Sequence, residues 1–289
     1  IAFMEVDDDI CYTAIGQLVL QARGRDFTTE HVADTWLANL PYRAVCTAET
    51  QAYRNLVTQF EWHHAKVKPP VDWDWVAMHE NPYREWIGAD IRADSYGYAA
   101  PGNPELAAEF AWRDARMTHV KNGIYGSMFM AAMIAAAFVT EDPKLIIEAG
   151  LAQIPKGSRL SAEMQLTLEI CEQHQCDYNQ FESVIAHIAA LLGHYSPVHT
   201  NNNAAIVVMA LLLGQGDFEK TITLAVMGGW DTDCNGATAG SIVGAMLGAK
   251  KLPTRWTAPL HDTIYTAISG YAPIAISECA RRSLAIVKK

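Results

Sequence analysis

The chain has 289 residues, of which 50% are hydrophobic and 19% are charged, so it can bury a sizeable core as one large domain or two small ones. Its 32 acidic and 22 basic residues leave a formal net charge of -10, which repels phosphate backbones and argues against nucleic acid as a partner. The longest apolar runs, residues 128–139 and 204–213, are too short to span a bilayer, so no membrane partner is expected. Six scattered cysteines without a CxxC pair, and no visible signal peptide, predict a reducing, cytoplasmic location.

Helical periodicity dominates the chain from its first element onward. Residues 9–22 place Ile10, Ala14 and Leu18 on one stripe, the pattern of a helix that faces a core. Further helices are predicted over residues 30–39, 47–57, 103–118, 123–139, 141–153, 161–171, 181–192, 203–213, 217–227 and 235–248. Residues 62–100 show no sustained period and are predicted to be an irregular, functional or lid-like segment. No stretch alternates as a strand does, so we predict an all-α, single-domain multi-helix bundle over residues 1–289.

The last predicted helix carries a glycine at every fourth position: Gly236, Gly240, Gly244 and Gly248. A glycine inside a helix costs about 1 kcal/mol relative to alanine. Four glycines on one face are therefore expected only where neighbouring backbones pack very closely.

Two acidic clusters are the most informative feature of the chain. Asp231 and Asp233 follow Gly228-Gly229 in a loop that leads into the glycine-rich helix, and Asp7-Asp8-Asp9 precedes the first helix. Hard divalent cations prefer several oxygen ligands from separate pieces of backbone. We therefore predict a metal site at the mouth of the bundle, with helix capping as the alternative explanation for each cluster. The absence of HExxH and HxH spacings favours Mg or Mn over zinc.

Other polar groups are candidate ligand contacts, each with a structural alternative. Arg92 lies among aromatic residues and glycines, where it could hold a phosphate, and an ion pair with Asp90 or Asp94 explains it equally well. His119 ends a helix, where the dipole favours a cation in any case. Asn201-Asn202-Asn203 supplies a helix cap and further polar groups that a ligand could use.

In the order of these motifs the chain resembles the ADP-ribosylglycohydrolase family, which includes dinitrogenase reductase-activating glycohydrolases and ADP-ribosylarginine hydrolases. Residues 228–248 look like the family's GGDTDT segment and the helix that follows it, and Asp7-Asp8-Asp9 looks like its TDDT motif. Weaker similarity lies at Ile91-Arg92 and over residues 103–119. The resemblance implies an all-α fold around two Mg or Mn ions, and hydrolysis of the N- or O-glycosidic bond that links ADP-ribose to a protein side chain or small acceptor.

The same resemblance implies roles for individual positions. The implied metal ligands are Asp7, Asp8, Asp9, Asp231 and Asp233, with Asp8 and Asp231 also acting in catalysis. The implied substrate contacts are Arg92, Gly228, Gly229, Asn235 and His119. The register of the first motif stays open, because either Val6 or Asp7 occupies the family's threonine position.

Three departures from the family pattern bear on activity. Cys234 stands where the family has a threonine ligand, and the first motif lacks its threonine in either register. The family's N-terminal glycine-rich helix, which ends in a metal-associated glutamate, is expected to be absent from residues 1–289. Two alternatives therefore stay open: hydrolysis of a different nucleoside-like glycoside, and a non-catalytic binding or structural role like that of the J-crystallins.

Overall fold

The computed structural model describes residues 4–60 and 70–288, most of which are helical. The first eight helices are α1 (Asp8–Arg23), α2 (Thr29–Asn39), α3 (Thr47–Phe60), α4 (Trp73–Met78), α5 (Asp94–Tyr98), α6 (Pro104–Ala115), α7 (Asn122–Ala137) and α8 (Pro143–Leu151). The next seven are α9 (Arg159–Gln173), α10 (Phe181–Leu192), α11 (Thr200–Gly214), α12 (Phe218–Met227), α13 (Thr232–Leu247), α14 (Thr254–Thr257) and α15 (Ile276–Val287). The prediction of an all-α multi-helix fold is confirmed. No helix in the described ranges has both the length and the apolarity needed to cross a membrane.

Two buried helices, α7 and α11, form the centre of the fold. Every residue of α11 is buried, and α7 packs against α5, α6, α8, α11 and α13. Both sequences are apolar on all sides, which is the pattern of a helix surrounded by other helices. Because α11 begins with Thr200 and three asparagines, its burial carries four polar side chains into the interior, where each needs a hydrogen-bond partner.

The glycine face of α13 packs against side chains of α12. A Cβ atom on Gly236 would lie 2.9 Å from Val226 Cγ2, whereas one on Gly240 would lie 3.4 Å from the nearest atom of Ile222. Only the first of these contacts is too close for a real Cβ atom, so the two helices approach most tightly beside the acidic loop and separate away from it. The expectation of close packing therefore holds at Gly236, and side chains of α12, rather than its backbone, make the contact.

The segment predicted as irregular is partly helical, and about half of its described residues are buried. Its described part contains α4, a 3-10 turn over Ile87–Ala89 and α5, and Tyr96 stacks on Phe27 with ring centroids 5.5 Å apart. Such short helices have little stability of their own and depend on tertiary packing, which leaves no long apolar period in the sequence. Residues 62–69 of the segment predicted to be irregular or lid-like lie outside the described residues.

The C-terminal region also differs from the prediction. The chain forms a short antiparallel pair of strands, β1 (Thr263–Ile264) and β2 (Ile274–Ala275), before it enters α15. Two residues per strand are too few for an alternating pattern to be read from sequence. Gln17 ties this region to α1, since its amide donates to the carbonyl of Cys279 at 2.8 Å and to Ser283 Oγ at 2.7 Å.

Candidate metal centre

The first acidic cluster lies at the start of α1 and divides into a cap and two further carboxylates. Asp7 is the N-cap residue, and its Oδ1 accepts a hydrogen bond from the amide of Ile10 at 2.8 Å. The helix-capping explanation is therefore correct for Asp7. It does not account for Asp8 and Asp9, which occupy the first turn and are half-buried.

The second acidic cluster lies at the start of α13. Asp231 holds the N-cap position, but its side chain makes no capping hydrogen bond. Its carboxylate interacts instead with Asp233 and the Cys234 thiol. Helix capping does not explain this pair, so the carboxylates remain free for another use.

The fold brings the two clusters together although about 220 residues separate them. Asp9, Asp233 and Cys234 each present a donor atom, and these three atoms all lie within 4.8 Å of one another. The closest described contact joins Cys234 Sγ to Asp9 Oδ2 at 3.7 Å. The predicted convergence of the two ends of the chain is thus observed for these three side chains.

Burial and mutual repulsion perturb the ionisation of this cluster. Burial, with the neighbouring carboxylates of Asp8, Asp7 and Asp233, raises the pKa of Asp9 to about 8. Burial and a hydrogen bond with Asp233 raise the pKa of Asp231 to about 6. A carboxylate whose negative charge is disfavoured in this way is stabilised in its ionised form by a nearby cation.

The two cysteines at the centre have raised pKa values for the same reasons. Burial, reinforced by the surrounding carboxylates, holds the pKa of the Cys234 thiol far above its usual range. Burial and Asp8, which also makes a hydrogen bond to it, raise the pKa of Cys46 to about 11. Both side chains are therefore protonated thiols in the metal-free protein, which argues against a thiolate nucleophile.

The donor set fits a divalent cation. Asp9 Oδ1 is buried without a hydrogen-bond partner among the described residues, and this is the state expected of a ligand oxygen without its ion. Carboxylate oxygens from two separate helix starts match the preferences of Mg and Mn, and the Cys234 thiol adds one softer donor.

A buried asparagine, which the sequence did not single out for this purpose, holds the acidic loop in place. Asn203 Oδ1 accepts hydrogen bonds from the Asp231 amide at 3.0 Å and from Asn235 Nδ2 at 2.9 Å. Its own Nδ2 donates to the carbonyls of Pro197 and His199, at 2.9 and 2.8 Å. The cap of α11 is His199, not an asparagine, so the triplet serves the interior rather than the helix end. The run of three consecutive asparagines was the sequence signal for a role beyond helix capping, because a cap requires only one of them.

Asn235 supports the acidic loop. It is fully buried, and its Nδ2 donates to Asn203 and, at 3.3 Å, to the carbonyl of Gly229. Its amide nitrogen therefore closes the loop that carries Asp231, whereas its Oδ1 has no partner among the described residues, and the expected contact with the substrate stays a prediction.

Arg92 and His119 are also interior residues, so their expected contact with the substrate stays a prediction that their burial does not favour. The Arg92 guanidinium is fully buried, bonds to Asp114 at 2.7 Å and to Thr118 Oγ1 at 2.8 Å, and pairs with Glu49. His119 is completely buried beside it, and burial holds the pKa of the imidazole well below its usual range. An ion pair does hold Arg92, but it is buried rather than on the surface, and its partners are Glu49 and Asp114 instead of Asp90 and Asp94.

Three further acidic groups in the interior were not predicted to belong to the site. Burial raises the pKa of Glu49 to about 7, although the Arg92 charge lowers it, and the nearby Asp8 carboxylate adds to the rise. Asp94 accepts a hydrogen bond from Thr13 Oγ1 at 3.3 Å and contributes to the raised pKa of Asp9. Asp90 is buried with both carboxylate oxygens unpartnered among the described residues, and burial raises its pKa strongly. Asp90 and Asp94 lie four residues apart and were considered only as ion-pair partners of Arg92, and nothing in the spacing of Glu49 groups it with the two clusters.

The two glycines before the cluster have different surroundings. A Cβ atom on Gly228 would lie 2.8 Å from Ile206 Cγ2, so this position accepts only glycine without movement of the core. Gly229 has φ +83°, a conformation that favours glycine, and nothing lies within 4 Å of the place where its Cβ would be. The loop is therefore packed against the core on one side and open on the other.

A family model described as ADP-ribosylglycohydrolase matches residues 5–284. The chain belongs to the ADP-ribosylglycohydrolase family. The protein is accordingly a glycosidic hydrolase.

A solved structure described as an ADP-ribosylglycohydrolase-related protein complex is similar to this chain, with a TM-score of 0.64 and 19% sequence identity. The similarity covers 99% of this chain and 82% of that one, and at this level of identity it shows the shared fold of the ADP-ribosylglycohydrolases and nothing finer. No curated protein sequence matches the chain significantly.

Proposed function

We propose that this protein is a metal-dependent hydrolase that cleaves the N- or O-glycosidic bond of ADP-ribose attached to a protein side chain or small acceptor. The observation that carries the proposal is the convergence of Asp9, Asp233 and Cys234, whose donor atoms lie within 4.8 Å of one another. Membership in the ADP-ribosylglycohydrolase family supports ADP-ribose as the sugar. The six free cysteines fit the cytoplasmic location that we propose with it.

In this proposal the carboxylates of both clusters hold one or two Mg or Mn ions. Asp8, Asp9, Asp231 and Asp233 are the principal ligands, and Asp7 offers the carboxylate oxygen that does not cap α1. When bound, the ions supply Lewis acidity toward the ribose hydroxyls and the attacking water.

Side chains of the protein then accept the proton of the attacking water and orient that water toward the sugar. Asp231, with a pKa of about 6, is ionised at neutral pH and serves as the general base that takes a proton from the attacking water. Asp8 orients that water from the opposite cluster. The sugar passes through an oxocarbenium-like state as the glycosidic bond breaks. Gly228 and Gly229 border the site, and the space beside Gly229 leaves room for the substrate.

The first test of the proposal is metal-dependent thermal stabilisation in two alanine variants. Asp231→Ala and Asp8→Ala should each abolish the rise in melting temperature that Mg or Mn produces, while circular dichroism shows the fold unchanged. Glu182→Ala is a matched control, because Glu182 is an exposed acid in the first turn of α10. Unchanged metal stabilisation in both variants would contradict the ligand assignment.

The second test identifies the leaving group. The metal-loaded protein is incubated with peptides ADP-ribosylated on arginine or serine and with small ADP-ribose conjugates, and free ADP-ribose is measured. Release that disappears in Asp231→Ala would support the proposal. Binding of Mn without binding of ADP-ribose, and without release from any conjugate, would instead point to a different glycoside.

A further inference from the structure

The loop before α13 contains a tryptophan in a conformation that costs free energy. Trp230 has φ +56°, in the left-handed region, and follows Gly229, which has φ +83°. A side chain at positive φ brings its Cβ atom close to the following carbonyl oxygen, and for a bulky residue this is a true outlier. Trp230 is the only tryptophan, tyrosine or phenylalanine with positive φ in the part of the chain that the structure describes.

Hydrogen bonds from buried asparagines impose this conformation on the loop. Asn203 Oδ1 accepts from the amide of Asp231 at 3.0 Å, and Asn235 Nδ2 donates to the carbonyl of Gly229 at 3.3 Å. Both bonds involve the backbone on either side of Trp230 and neither involves its indole. A glycine at position 230 would satisfy the same backbone without strain, so the tryptophan is not needed to shape the loop.

Trp230 directly precedes Asp231, in the loop that carries the second acidic cluster. It is half-buried, packs in part against the core and donates no hydrogen bond to any described residue. Nothing lies within 4 Å of a Cβ atom built on Gly229, and Met227, at the end of α12, is 63% exposed. A half-exposed aromatic side chain with an N–H donor therefore stands in the loop that carries Asp231 and Asp233.

We propose that Trp230 is a specificity residue that contacts the substrate, with its indole packed against the sugar ring bound at the acidic cluster. Strained residues persist where the strained side chain has a use, and half-exposed aromatic rings beside polar groups are typical of ligand sites. The indole covers the C–H face of the ribose, and its N–H donates to an oxygen of the sugar or of the attached group. This inference rests on the proposed function, because it takes ADP-ribose as the ligand.

The test compares binding of Mn and of ADP-ribose in three variants at position 230. Trp230→Gly removes the ring and the strain, Trp230→Asn removes the ring with a residue that tolerates positive φ, and Trp230→Phe keeps an aromatic ring. We expect the first two to weaken ADP-ribose binding about tenfold, within the range known for stacking on an aromatic side chain. Their affinity for Mn should stay within about twofold of the wild type, and Trp230→Phe should retain most of the ADP-ribose affinity.

Each other outcome contradicts a distinct part of the argument. Unchanged ADP-ribose affinity in Trp230→Gly or Trp230→Asn would overturn the contact, and an equal loss of Mn and ADP-ribose affinity would show that the indole only holds the loop. If Trp230→Gly does not fold, Trp230→Asn decides the question. If the wild-type protein binds Mn but no ADP-ribose, the proposed function fails, and the inference about Trp230 fails with it.

Discussion

Metal binding should depend steeply on pH, because Asp9 must lose a proton before it can act as a ligand. Its pKa in the metal-free protein is raised to about 8 by burial and by the carboxylates of Asp8, Asp7, Asp233 and Asp94. A protonated carboxyl does not bind a divalent cation, so the proton and the metal compete for the same oxygen. This competition can be tested by changing the pH and by the substitution Asp9→Asn, which removes the ionisable group.

The pKa sets the size of the effect. About 1% of Asp9 is ionised at pH 6 and about half at pH 8, so the apparent affinity for Mn should rise about 50-fold over this range. Asp231, with a pKa of about 6, contributes about a further twofold if it is also a ligand. Near pH 7, binding should release about one proton, most of it from Asp9.

Titration calorimetry in two buffers with different ionisation enthalpies measures both the affinity and the number of protons released. Asp9→Asn should bind Mn more weakly and lose most of the pH dependence, whereas the exposed Glu182→Gln should keep both. An affinity for Mn that is flat between pH 6 and pH 8, or an Asp9→Asn variant with the wild-type slope, would refute the reasoning.

The same pKa has a consequence for the stability of the metal-free protein. Because the pKa of Asp9 rises from 3.8 to about 8 on folding, the folded state holds this proton more tightly than the unfolded state. The stabilising contribution is complete below the unfolded value and is lost as the pH rises through about 8. A saturating divalent cation should remove this loss, which melting curves between pH 5 and pH 9 with and without Mn would show.

Two further predictions concern the interior of the site and the choice of metal. Arg92→Met should lower the free energy of unfolding by about 3–5 kcal/mol, because it leaves Glu49 and Asp114 buried without their cation. Urea unfolding measures this loss, and the control is Arg116→Met, which removes a half-buried arginine stacked on Trp112. A loss in Arg92→Met no larger than in the control would contradict the prediction. Cys234→Thr should raise the affinity for Mg and lower the affinity for Cd, since a hydroxyl replaces a soft thiol. Calorimetry measures both affinities, and loss of the cadmium–thiolate absorption band shows that the thiol contact with Cd is gone. Unchanged affinities for both ions would show that Cys234 is not a ligand.

The local pattern of the chain was sufficient to predict the helices and the acidic clusters. The helices over α7 and α11 were predicted, and their apolar character on all sides, without a solvent-facing stripe, agrees with their burial in the structure. The clusters stood out because capping requires one acid, and Asp231 does not cap at all. The short elements between residues 70 and 100 were missed because their stability comes from contacts with distant residues and leaves no period.

The roles of Arg92, His119 and Asn235 could not be obtained from sequence, because a polar side chain has the same letter whether it faces a ligand or closes a buried network. Burial decides between the two, and it depends on contacts between segments far apart in the chain, such as Arg92 with Glu49 and Asp114.

By itself, the sequence determined most of the longer helices, the presence of two acidic clusters far apart in the chain, and the family that these clusters resemble. These properties depend on neighbouring residues and on motif spacing, which can be read along one dimension. Only the tertiary structure decided that Asp9 lies beside Asp233 and Cys234, and that Asn203 holds the loop that carries Asp231. It also assigned Arg92 to the interior, because distances across the fold, rather than along the chain, set burial, charge repulsion and hydrogen bonding.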